Sequence, residues 1–573
     1  MKLNFLIILI SLHVILSEEI QSQSSNFKWI KTLNGDVTNN IGCAITTDAA
    51  GNVYTTGYHC GSVDLDPGPA TYDVTSVSVL DIYVTKFDSL GNFIWGRSMG
   101  GGWAEIGTSI AVDGNGNVIV AGRFEVNCDL DPDVNNTFIL PGNGADDVFL
   151  VKLNSGGNFV WGIGIGDTGY ESAGGIKVDN TGNIYFTGSF ENTVDFDPGP
   201  GVFNLSATNG GAFVLKLDGT GNLVYAKNFG GSAIGQAISL DATGNIYTTG
   251  AFMGAGDFDP NAGVSTLTSN SGSYDVYISK LNNSGSFVWA KNFGGADMDF
   301  PNSIGVDGLG NVYTTGTFSA TVDFDPSPAV ANLTSAGDMD IFVSKLNSSG
   351  NYVWAKAIGG STTEIARSLI VNSSGNIFLS GGFSGTTDFD PSPSTSTLSS
   401  LGYEDIFVSG LNSSGNFLFA KRMGGSTATG ESYGMCLDGL NNILTTGYYY
   451  GTVDFDPDAA TLNLNSGAAY DSFIHKMKPS YTSIPTSLQE KSVSSLSKMI
   501  YPNPCTDFIT VKLNEDQILC DIEIRDVFGK LITRIPAFND IEKIDVHDLQ
   551  KGVYIVDILK NSHSIQKTKI IKQ

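Results

Sequence analysis

Between residues 27 and 478 the chain alternates apolar and polar residues over short stretches separated by turn-forming residues. One unit, which ends at Lys356, shows four such stretches, named A to D here: residues 303–307, 311–318, 340–346 and 351–356. An alternation with a period of two predicts β-strands. Short loops that contain Gly join A to B and C to D, so each of these pairs is predicted to be antiparallel.

The loop between stretches A and B ends in a residue that the turn type requires to have a positive φ. Gly occupies this position in six copies of the unit, and Asn441 occupies it in the seventh; the glycines are at 51, 116, 182, 244, 310 and 375. Asn is the residue that tolerates a positive φ best after Gly. The substitution therefore supports the predicted turn.

The sequence Asp-Phe-Asp-Pro or Asp-Leu-Asp-Pro follows stretch B in every copy. It occurs seven times, at intervals of 62 to 66 residues, beginning at residues 64, 129, 195, 257, 323, 388 and 454. Self-similarity at a fixed period indicates a repeat architecture. High Gly content with many Thr, Val, Ile and aromatic residues favours short strands and almost no helix.

The repeats are out of phase with the ends of the array. A D-like stretch at Phe27–Lys31 precedes the first A, and the last unit ends at its C stretch, residues 471–477. The first strand is therefore predicted to complete the last sheet, which hides the exposed edges of an open array. We predict an all-β protein: a seven-bladed β-propeller over residues 25–478, with four-stranded blades and the N-terminal strand closing the last blade.

The unit also resembles the bacterial β-propeller repeat family. The residues that carry the resemblance are Ser303-Ile304-Gly305-Val306-Asp307 and Gly310-Asn311-Val312-Tyr313-Thr314-Thr315-Gly316. The resemblance implies the propeller fold. It implies little about activity, because propellers carry many unrelated functions.

A different module follows a Ser-rich linker over residues 479–498. Residues 499–573 contain short alternating runs and are predicted to form a small Ig-like β-sandwich. Tyr501-Pro502-Asn503-Pro504, the turn at residues 526–530 and Lys551-Gly552-Val553-Tyr554 resemble the type A C-terminal sorting domain of the type IX secretion system of Bacteroidetes. The resemblance implies that the type IX secretion machinery is a partner, through residues 499–573, and that the protein passes from the periplasm to the exterior.

Residues 1–24 are predicted to be a signal peptide, because Lys2 precedes an apolar run that is too short to span a membrane. No later segment is apolar enough to span one. The expected location is therefore the cell surface or the medium. The net charge of −27 argues against nucleic acid as a partner. We expect a monomer whose ligand is an extracellular glycan or protein.

Six cysteines are too few for a disulfide framework. Cys43 and Cys60 lie on stretches that are predicted to pair, so one disulfide between them is an expectation. No cluster of Cys and His indicates a metal site.

The paired aspartates of the repeated motif are candidate metal ligands. Two carboxylates at this spacing repel each other unless a cation or several N–H donors stabilise them. Ca²⁺ is the cation considered; the alternatives are that each Asp caps a turn or that it binds a ligand directly. The candidate ligands are Asp64, Asp66, Asp129, Asp131, Asp195, Asp197, Asp257, Asp259, Asp323, Asp325, Asp388, Asp390, Asp454 and Asp456. The apolar residue between them is expected to anchor the loop.

A second acidic position precedes stretch A in four copies, at Glu105, Glu171, Asp299 and Glu364. These acids are expected either to bind backbone donors of the preceding loop or to surround the mouth of a central channel. The Trp residues of stretch D are expected to pack between blades; they are Trp95, Trp161, Trp289 and Trp354.

Catalysis has little support in the sequence. Only His59 and His475 lie in the repeats, at unrelated positions, and no nucleophile elbow or zinc motif occurs. The favoured function is a non-catalytic binding or adhesion module on the cell surface. A secreted hydrolase or lyase that acts on polysaccharide is the second hypothesis, because carboxylates alone can cleave glycosides. A purely structural surface protein is the third.

Overall fold

The computed structural model describes residues 26–35, 39–479, 500–501, 505–512, 520–526, 530–537, 541–560 and 563–572. The described residues form 47 strands and no helix. The chain divides into two compact units, residues 1–481 and 482–573. The predicted signal peptide and nearly all of the predicted linker lie outside the described residues. Among those described, there is no helix of the length and apolarity needed to cross a membrane.

The strands of the first unit follow one another in a repeating order of long and short elements. The first half comprises β1 (Phe27–Gly35), β2 (Asn40–Thr47), β3 (Val53–His59), β4 (Ser62–Asp64), β5 (Asp73–Thr75), β6 (Asp81–Phe87), β7 (Phe93–Gly101), β8 (Glu105–Val112), β9 (Val118–Phe124), β10 (Cys128–Asp129), β11 (Ile139–Leu140), β12 (Asp147–Leu153), β13 (Phe159–Ile165), β14 (Ser172–Val178), β15 (Ile184–Asp195), β16 (Asn204–Leu217) and β17 (Leu223–Phe229). The second half comprises β18 (Ala233–Leu240), β19 (Ile246–Met253), β20 (Ala255–Asp257), β21 (Thr266–Thr268), β22 (Tyr274–Leu281), β23 (Phe287–Phe293), β24 (Phe300–Val306), β25 (Val312–Phe318), β26 (Thr321–Asp323), β27 (Asn332–Thr334), β28 (Asp340–Leu346), β29 (Tyr352–Gly360), β30 (Glu364–Val371), β31 (Ile377–Phe383), β32 (Thr386–Asp388), β33 (Thr397–Ser399), β34 (Asp405–Leu411), β35 (Phe417–Met423), β36 (Thr429–Leu437), β37 (Ile443–Tyr450), β38 (Thr452–Asp454), β39 (Asn463–Asn465) and β40 (Asp471–Met477).

The long strands pair antiparallel in groups of four, which we number sheets 1 to 7. Their orders are β2-β3-β6-β7, β8-β9-β12-β13, β14-β15-β16-β17, β18-β19-β22-β23, β24-β25-β28-β29, β30-β31-β34-β35 and β36-β37-β40-β1. The four strands of each sheet are called A to D in that order. Positive φ angles occur at all six glycines of the predicted A–B turn and at Asn441, where φ is 59°. The turn prediction is therefore confirmed.

The N-terminal strand β1 pairs with β40, the C strand of sheet 7. The register runs from Phe27 opposite Met477 to Leu33 opposite Ser472, with an irregularity after Phe27. Leu33 is fully buried in the core that β1 shares with sheet 1. The predicted pairing of the first strand with the last C strand is present.

Neighbouring sheets are joined by side chains that reach one sheet onward. The indole N–H of Trp95 in sheet 1 donates to the carbonyl of Ser155 in sheet 2, at 3.1 Å. Trp289 and Trp354 make the equivalent bond, and Trp161 packs against Gly221 of sheet 3. Aromatic surface and a satisfied N–H both favour this placement. The expectation that these Trp residues pack between sheets is confirmed.

A Lys of strand C adds a second contact between sheets, since its ammonium donates to a carbonyl of the next sheet, as Lys86 does to Ser155 at 3.3 Å. Within its own sheet the same Lys lies near the Asp of the A–B turn. In four sheets the Asp accepts a hydrogen bond from the hydroxyl group of a strand-B Tyr, and the ring of this Tyr faces the Lys. The Tyr–Lys pairs are Tyr54–Lys86, Tyr185–Lys216, Tyr247–Lys280 and Tyr313–Lys345. Sheets 2 and 7 have no Tyr there, and the Lys contacts the Asp directly, with Lys152 to Asp113 at 3.1 Å and Lys476 to Asp438 at 2.9 Å. Sheet 6 has Asn372, Phe378 and Gly410 instead. The Lys and the Asp are therefore absent together, whereas the Tyr is also absent where both of them remain.

The expected disulfide between Cys43 and Cys60 is wrong, because both are free thiols. Cys43 is the extra residue of a β-bulge between Gly42 and Ala44, whereas the backbone N–H of Cys60 donates to Asn39, just beyond the end of the strand pair. The two cysteines are therefore about four residues apart along the strands, and four residues of a strand span about 13 Å. A disulfide needs Cα atoms within about 7 Å.

The second unit contains two sheets. Its strands are β41 (Ile500–Tyr501), β42 (Phe508–Lys512), β43 (Cys520–Asp526), β44 (Leu531–Ala537), β45 (Ile541–Asp545), β46 (Gly552–Lys560) and β47 (His563–Lys572). The sheet orders are β41-β42-β45 and β44-β43-β46-β47. Ile509 of one sheet and Ile522 and Val556 of the other belong to a single buried core. The two sheets therefore enclose one apolar interior.

Candidate functional site

The repeated Asp-x-Asp-Pro motifs lie in the loops between strands B and C, as predicted. The apolar residue of each motif is fully buried; these residues are Leu65, Leu130, Phe196, Phe258, Phe324, Phe389 and Phe455. Because each of these side chains is buried in the core, it holds its B–C loop at a fixed position. The predicted anchor role is confirmed.

Both aspartates of each motif accept backbone N–H bonds. Oδ1 of Asp323 accepts from the N–H of Asp325 at 3.1 Å and of Ala331 at 2.8 Å, and Oδ1 of Asp325 accepts from Ser327 at 2.9 Å. The same three bonds recur in the other six motifs. This is the geometry of side chains that cap turns. Calcium binding here stays a prediction; among the described residues, no three or more His, Cys, Asp or Glu side chains converge as metal ligands would.

The second acidic position pairs with an aspartate that begins strand C. Glu105 accepts from the N–H of Gly101 at 3.0 Å, and its carboxyl group interacts with that of Asp81. Equivalent pairs are Asp147–Glu171, Asp275–Asp299 and Asp340–Glu364. In the third copy Gly211 and Ala233 replace both acids. These acids therefore bind backbone donors of the D–A loop, which confirms the first of the two expectations. They are not among the residues that line the central cavity.

Burial of these pairs changes their protonation. Burial raises the pKa of Glu105 to about 7, and that of Glu171, Asp299 and Glu364 also to about 7, despite the backbone N–H bonds. Room for the strand-C carboxyl comes from a glycine at the end of strand D, such as Gly100 beside Asp81. The sequence analysis did not identify the strand-C aspartates of these carboxyl pairs. They could have been found from the sequence, because an Asp opens strand C in six of the seven copies.

A central cavity of about 530 Å³ is lined by the A strands of all seven sheets. Each A strand carries a β-bulge near the end that faces the long loops, and the extra residue of the bulge lines the cavity. The seven bulged positions are Cys43, Thr108, Gly174, Gln236, Asn302, Arg367 and Tyr433. Bulges redirect side chains and are frequent beside functional sites. All seven residues differ, whereas the strands around them repeat.

One part of the cavity mouth, between sheets 6 and 7, departs from the repeat. Nε of Arg367 lies 2.6 Å from Oε1 of Glu431, which is buried, and the guanidinium lies over the ring of Tyr433 at 5.4 Å. The other sheets have Ile, Ser or Phe at the position of Glu431. We call Arg367, Glu404, Glu431, Tyr433, Tyr448 and Tyr470 the mouth cluster.

Glu404 brings a second carboxyl group to the mouth cluster. Burial, and then the charge of Glu431, raise the pKa of Glu404 to about 7, against the opposing effect of Arg367. A β-carbon at position 382 would collide with the Glu404 carboxyl, so Gly382 provides its space. Two neighbouring carboxyl groups in different environments can hold one proton between them at neutral pH.

Tyrosine rings extend the mouth cluster outward. The ring centroid of Tyr448 lies 5.6 Å from that of Tyr433 and 5.2 Å from that of Tyr470, and Tyr470 lies 5.5 Å from Tyr450. Tyr403, beside Glu404, is 83% exposed. The rings of Tyr433, Tyr448, Tyr470 and Tyr450 therefore form a continuous aromatic series next to two carboxyl groups and a guanidinium.

The two histidines of the repeats are not part of this site. Both are fully buried, and burial lowers the pKa of His59 to about 4 and that of His475 to about 3. His59 bonds Ser98 at 2.8 Å. Neutral, buried imidazoles of this kind have a structural role.

Two family models match the chain. Residues 288–317 match a beta-propeller repeat, and residues 499–573 match a secretion system C-terminal sorting domain. The fold and these matches define a β-propeller protein that carries a sorting domain for the type IX secretion system. Such a domain indicates export to the cell surface or secretion.

One curated relative resembles the chain distantly. It is 24% identical over 493 residues to an uncharacterized WD repeat-containing protein, L264, of Acanthamoeba polyphaga mimivirus, with 72% of this chain and 35% of the relative covered. The chain thus spans about a third of that relative's length.

Two solved structures match the chain at low identity. The Pan2 WD40 domain of Neurospora crassa has 9% identity and a TM-score of 0.33, with 77% of this chain and 90% of that chain covered. PorZ, described as an essential bacterial surface component of the type-IX secretion system of Porphyromonas gingivalis, has 11% identity and a TM-score of 0.23. The coverage is 95% of this chain and 100% of that one.

Proposed function

We propose that the protein is an exported β-propeller of seven blades in a closed ring, which binds an extracellular glycan at the mouth of its central cavity. Contacts between each A strand and the next, including β36 with β2, support the closed ring. So does the bond from Lys476 of sheet 7 to the carbonyl of Ser89 in sheet 1, at 3.0 Å. The second unit is the part that the type IX secretion machinery recognises.

The mouth cluster is the observation that carries the binding role. The acids of the seven equivalent loops accept backbone N–H bonds in the same way in every copy, as turn caps do. The mouth cluster is different because it breaks the sevenfold repeat at one place on the rigid scaffold. Irregular positions on a regular scaffold are where binding sites are expected.

The chemistry of the mouth cluster suits a sugar. Flat aromatic faces such as Tyr448 and Tyr470 pack against the apolar faces of sugar rings, and their hydroxyl groups bond to water or ligand. Glu404, Glu431 and Arg367 supply acceptors and donors for sugar hydroxyl groups. A few polar groups beside apolar surface are typical of a ligand site.

The second candidate function is a hydrolase or lyase that acts on polysaccharide. The raised pKa of Glu404, at about 7, favours it, because a carboxyl group that is half protonated at neutral pH can act as a general acid. Glu431, paired with Arg367, would then be the second carboxyl group of the site. In a non-catalytic module the same groups only bind hydroxyl groups.

A glycan array that is read in two ways tests both functions. The purified full chain and its Glu404→Gln variant are applied to the array, and the bound glycans are then assayed for new reducing ends or unsaturated ends. Retention without new ends supports binding; new ends that disappear in Glu404→Gln support catalysis. Absence of both retention and cleavage across the array contradicts the proposal and leaves the structural role.

A further inference from the structure

The lining of the central cavity has a charge opposite to that of the whole chain. The formal net charge of the protein is −27. The described residues that line the cavity include no Asp and no Glu, and they include two cationic side chains, Arg367 and Lys177. A cavity enclosed by low-dielectric walls concentrates the field of the charges that line it. The cavity is therefore a place where an anion is favoured on an anionic protein.

Lys177 is the free cation of this cavity. It follows the bulged Gly174 by three residues on β14, which places it about 10 Å further inside than the bulges. Its ammonium group has no hydrogen bond or ion pair to any described residue, whereas Arg367 is paired with Glu431. Lys177 is exposed to the cavity, with strands on all sides.

The surroundings of Lys177 leave its charge available to a ligand. Loss of bulk solvent lowers the pKa of Lys177, and the ammonium interacts with the thiol of Cys436 on sheet 7. Burial raises the pKa of that thiol well above its usual range, so Cys436 stays neutral. An anionic group beside Lys177 would restore the stability of its charged form.

We propose that the cavity binds the acidic unit of an anionic glycan, with Lys177 pairing with the sugar carboxylate while the mouth cluster holds the neighbouring units. The proposal rests on the glycan-binding function and adds the ligand class. A cavity of about 530 Å³ is within the range of small-ligand sites and accommodates a unit of sugar size. Gln236 and Asn302, on neighbouring bulges, also line the cavity, and their amide groups can bond hydroxyl groups of the glycan.

Calorimetric titration of the full chain tests this inference. The probes are a galacturonic acid trimer and a galactose trimer, and the proteins are wild type, Lys177→Met and Lys177→Arg. Lys28→Met, on the exposed side of β1, is the matched control. We expect Lys177→Met to weaken binding of the acidic trimer about tenfold, the loss typical of one charge-assisted hydrogen bond, with the neutral trimer unaffected. Lys177→Arg should keep most of the affinity, and melting curves check the fold.

The remaining outcomes distinguish failure of the anionic subsite at Lys177 from failure of the glycan site at the mouth cluster. Equal affinity of wild type and Lys177→Met for the acidic trimer overturns the anionic subsite. If only the neutral trimer binds, and Tyr448→Ala abolishes its binding, the glycan site stands and the subsite fails. If the acidic trimer binds through Lys177 but Tyr448→Ala has no effect, the cavity site stands and the mouth cluster fails. Absence of binding by either trimer, together with a blank glycan array, overturns both.

Discussion

The carboxyl group of Glu404 occupies the space that the missing side chain of Gly382 leaves free on strand B of sheet 6. The position is not restricted to Gly by the strand itself, because Ala251 and Ser189 occupy it in sheets 4 and 3. Gly382→Ala should therefore displace Glu404 while leaving the fold intact. We expect glycan affinity to fall at least as far as in Glu404→Gln, with a melting temperature close to wild type. Ser189→Ala is the control; equal affinity of Gly382→Ala and wild type would show that the position of Glu404 is irrelevant.

The ion pair between Lys152 and Asp113 gives a second prediction. Both side chains are less than a tenth exposed and their atoms are 3.1 Å apart. Lys152→Met leaves a buried carboxylate without its partner and should lower the free energy of unfolding by about 3 kcal/mol. Lys152→Met combined with Asp113→Asn should be much less destabilised, because sheet 6 has Asn372 at that position. Denaturant titration measures both; equal losses in the single and the double variant would contradict the account.

The buried carboxyl pairs predict a stability that depends on pH. The pKa values of Glu105, Glu171 and Glu364 are raised to about 7 in the folded protein, above their value of about 4.5 in the unfolded chain. The folded state therefore binds more protons, and the stabilisation is full below about pH 4.5 and is lost as the pH rises through 7. The melting temperature should fall between pH 6.5 and pH 8.

Between pH 6.5 and pH 8 the two buried histidines do not oppose the effect of the glutamates on stability. His59 and His475 have lowered pKa values, so their contribution is lost only as the pH falls below about 6.5. A triple variant of the three glutamates to Gln should show a smaller fall between pH 6.5 and pH 8 than wild type. Glu191→Gln, at an exposed site, is the control. An unchanged fall in the triple variant would exclude these carboxyl groups as its source.

Turn capping and calcium binding by the Asp-x-Asp-Pro motifs can be separated. Asp323→Ala removes the acceptor of two backbone N–H bonds and should lower the free energy of unfolding by about 1–2 kcal/mol. Asp338→Ala changes an exposed acid of the same B–C loop and should have little effect. If the motifs only cap turns, EDTA leaves the melting temperature of wild type unchanged. A lower melting temperature with EDTA, restored by Ca²⁺, would instead establish the cation.

Pairing of β1 with β40 predicts a strong effect of removing the first strand. Without residues 27–35, β40 has an unpaired edge and the core loses Leu33. We expect a large fall in melting temperature and association through the open edge. Scanning calorimetry and size-exclusion chromatography measure these changes. A monomer with the melting temperature of wild type would show that the strand is dispensable.

Periodicity in the sequence was sufficient for the long strands and their pairing within each sheet, but not for the short strand pairs inside the B–C loops, such as β4 with β5. The spacing of Asp-Phe-Asp-Pro, the Asn441 turn and the displaced strand at Phe27 are local or periodic signals, and each corresponds to an observed element. Strand A is an exception because it begins earlier than predicted, at Phe300 rather than Ser303 in sheet 5. A bulge at Asn302 interrupts the alternation and hides the first part of the strand.

The candidate site was harder to predict because its members are distant in sequence. Asp81 and Glu105 meet only because strand C of one sheet lies beside strand A of the next. Arg367, Glu404 and Glu431 come from three strands or loops. The other copies have unrelated residues at the positions of Arg367 and Glu431, whereas Glu404 has an acidic counterpart in Asp146. Their signal was departure from the repeat, whereas the predictions from sequence rested on what the copies share. The resemblance to a sorting domain is confirmed by the family model that matches residues 499–573.

Export is tested by removing the second unit. A chain that lacks residues 499–573 should accumulate inside the cell of a host with a type IX secretion system, whereas the full chain should reach the surface or the medium. Cell fractionation followed by immunoblotting measures the distribution. Equal export of both chains would contradict recognition through this unit.

The central claim is that the mouth cluster is the glycan site, and one titration tests it most directly. The glycan best retained on the array is titrated into wild type, Tyr448→Ala and Thr317→Ala, which changes the equivalent strand-B position of sheet 5. The account predicts at least a tenfold loss of affinity for Tyr448→Ala, about the effect of removing one stacked aromatic ring, and no loss for Thr317→Ala. Equal affinity of all three proteins would contradict it.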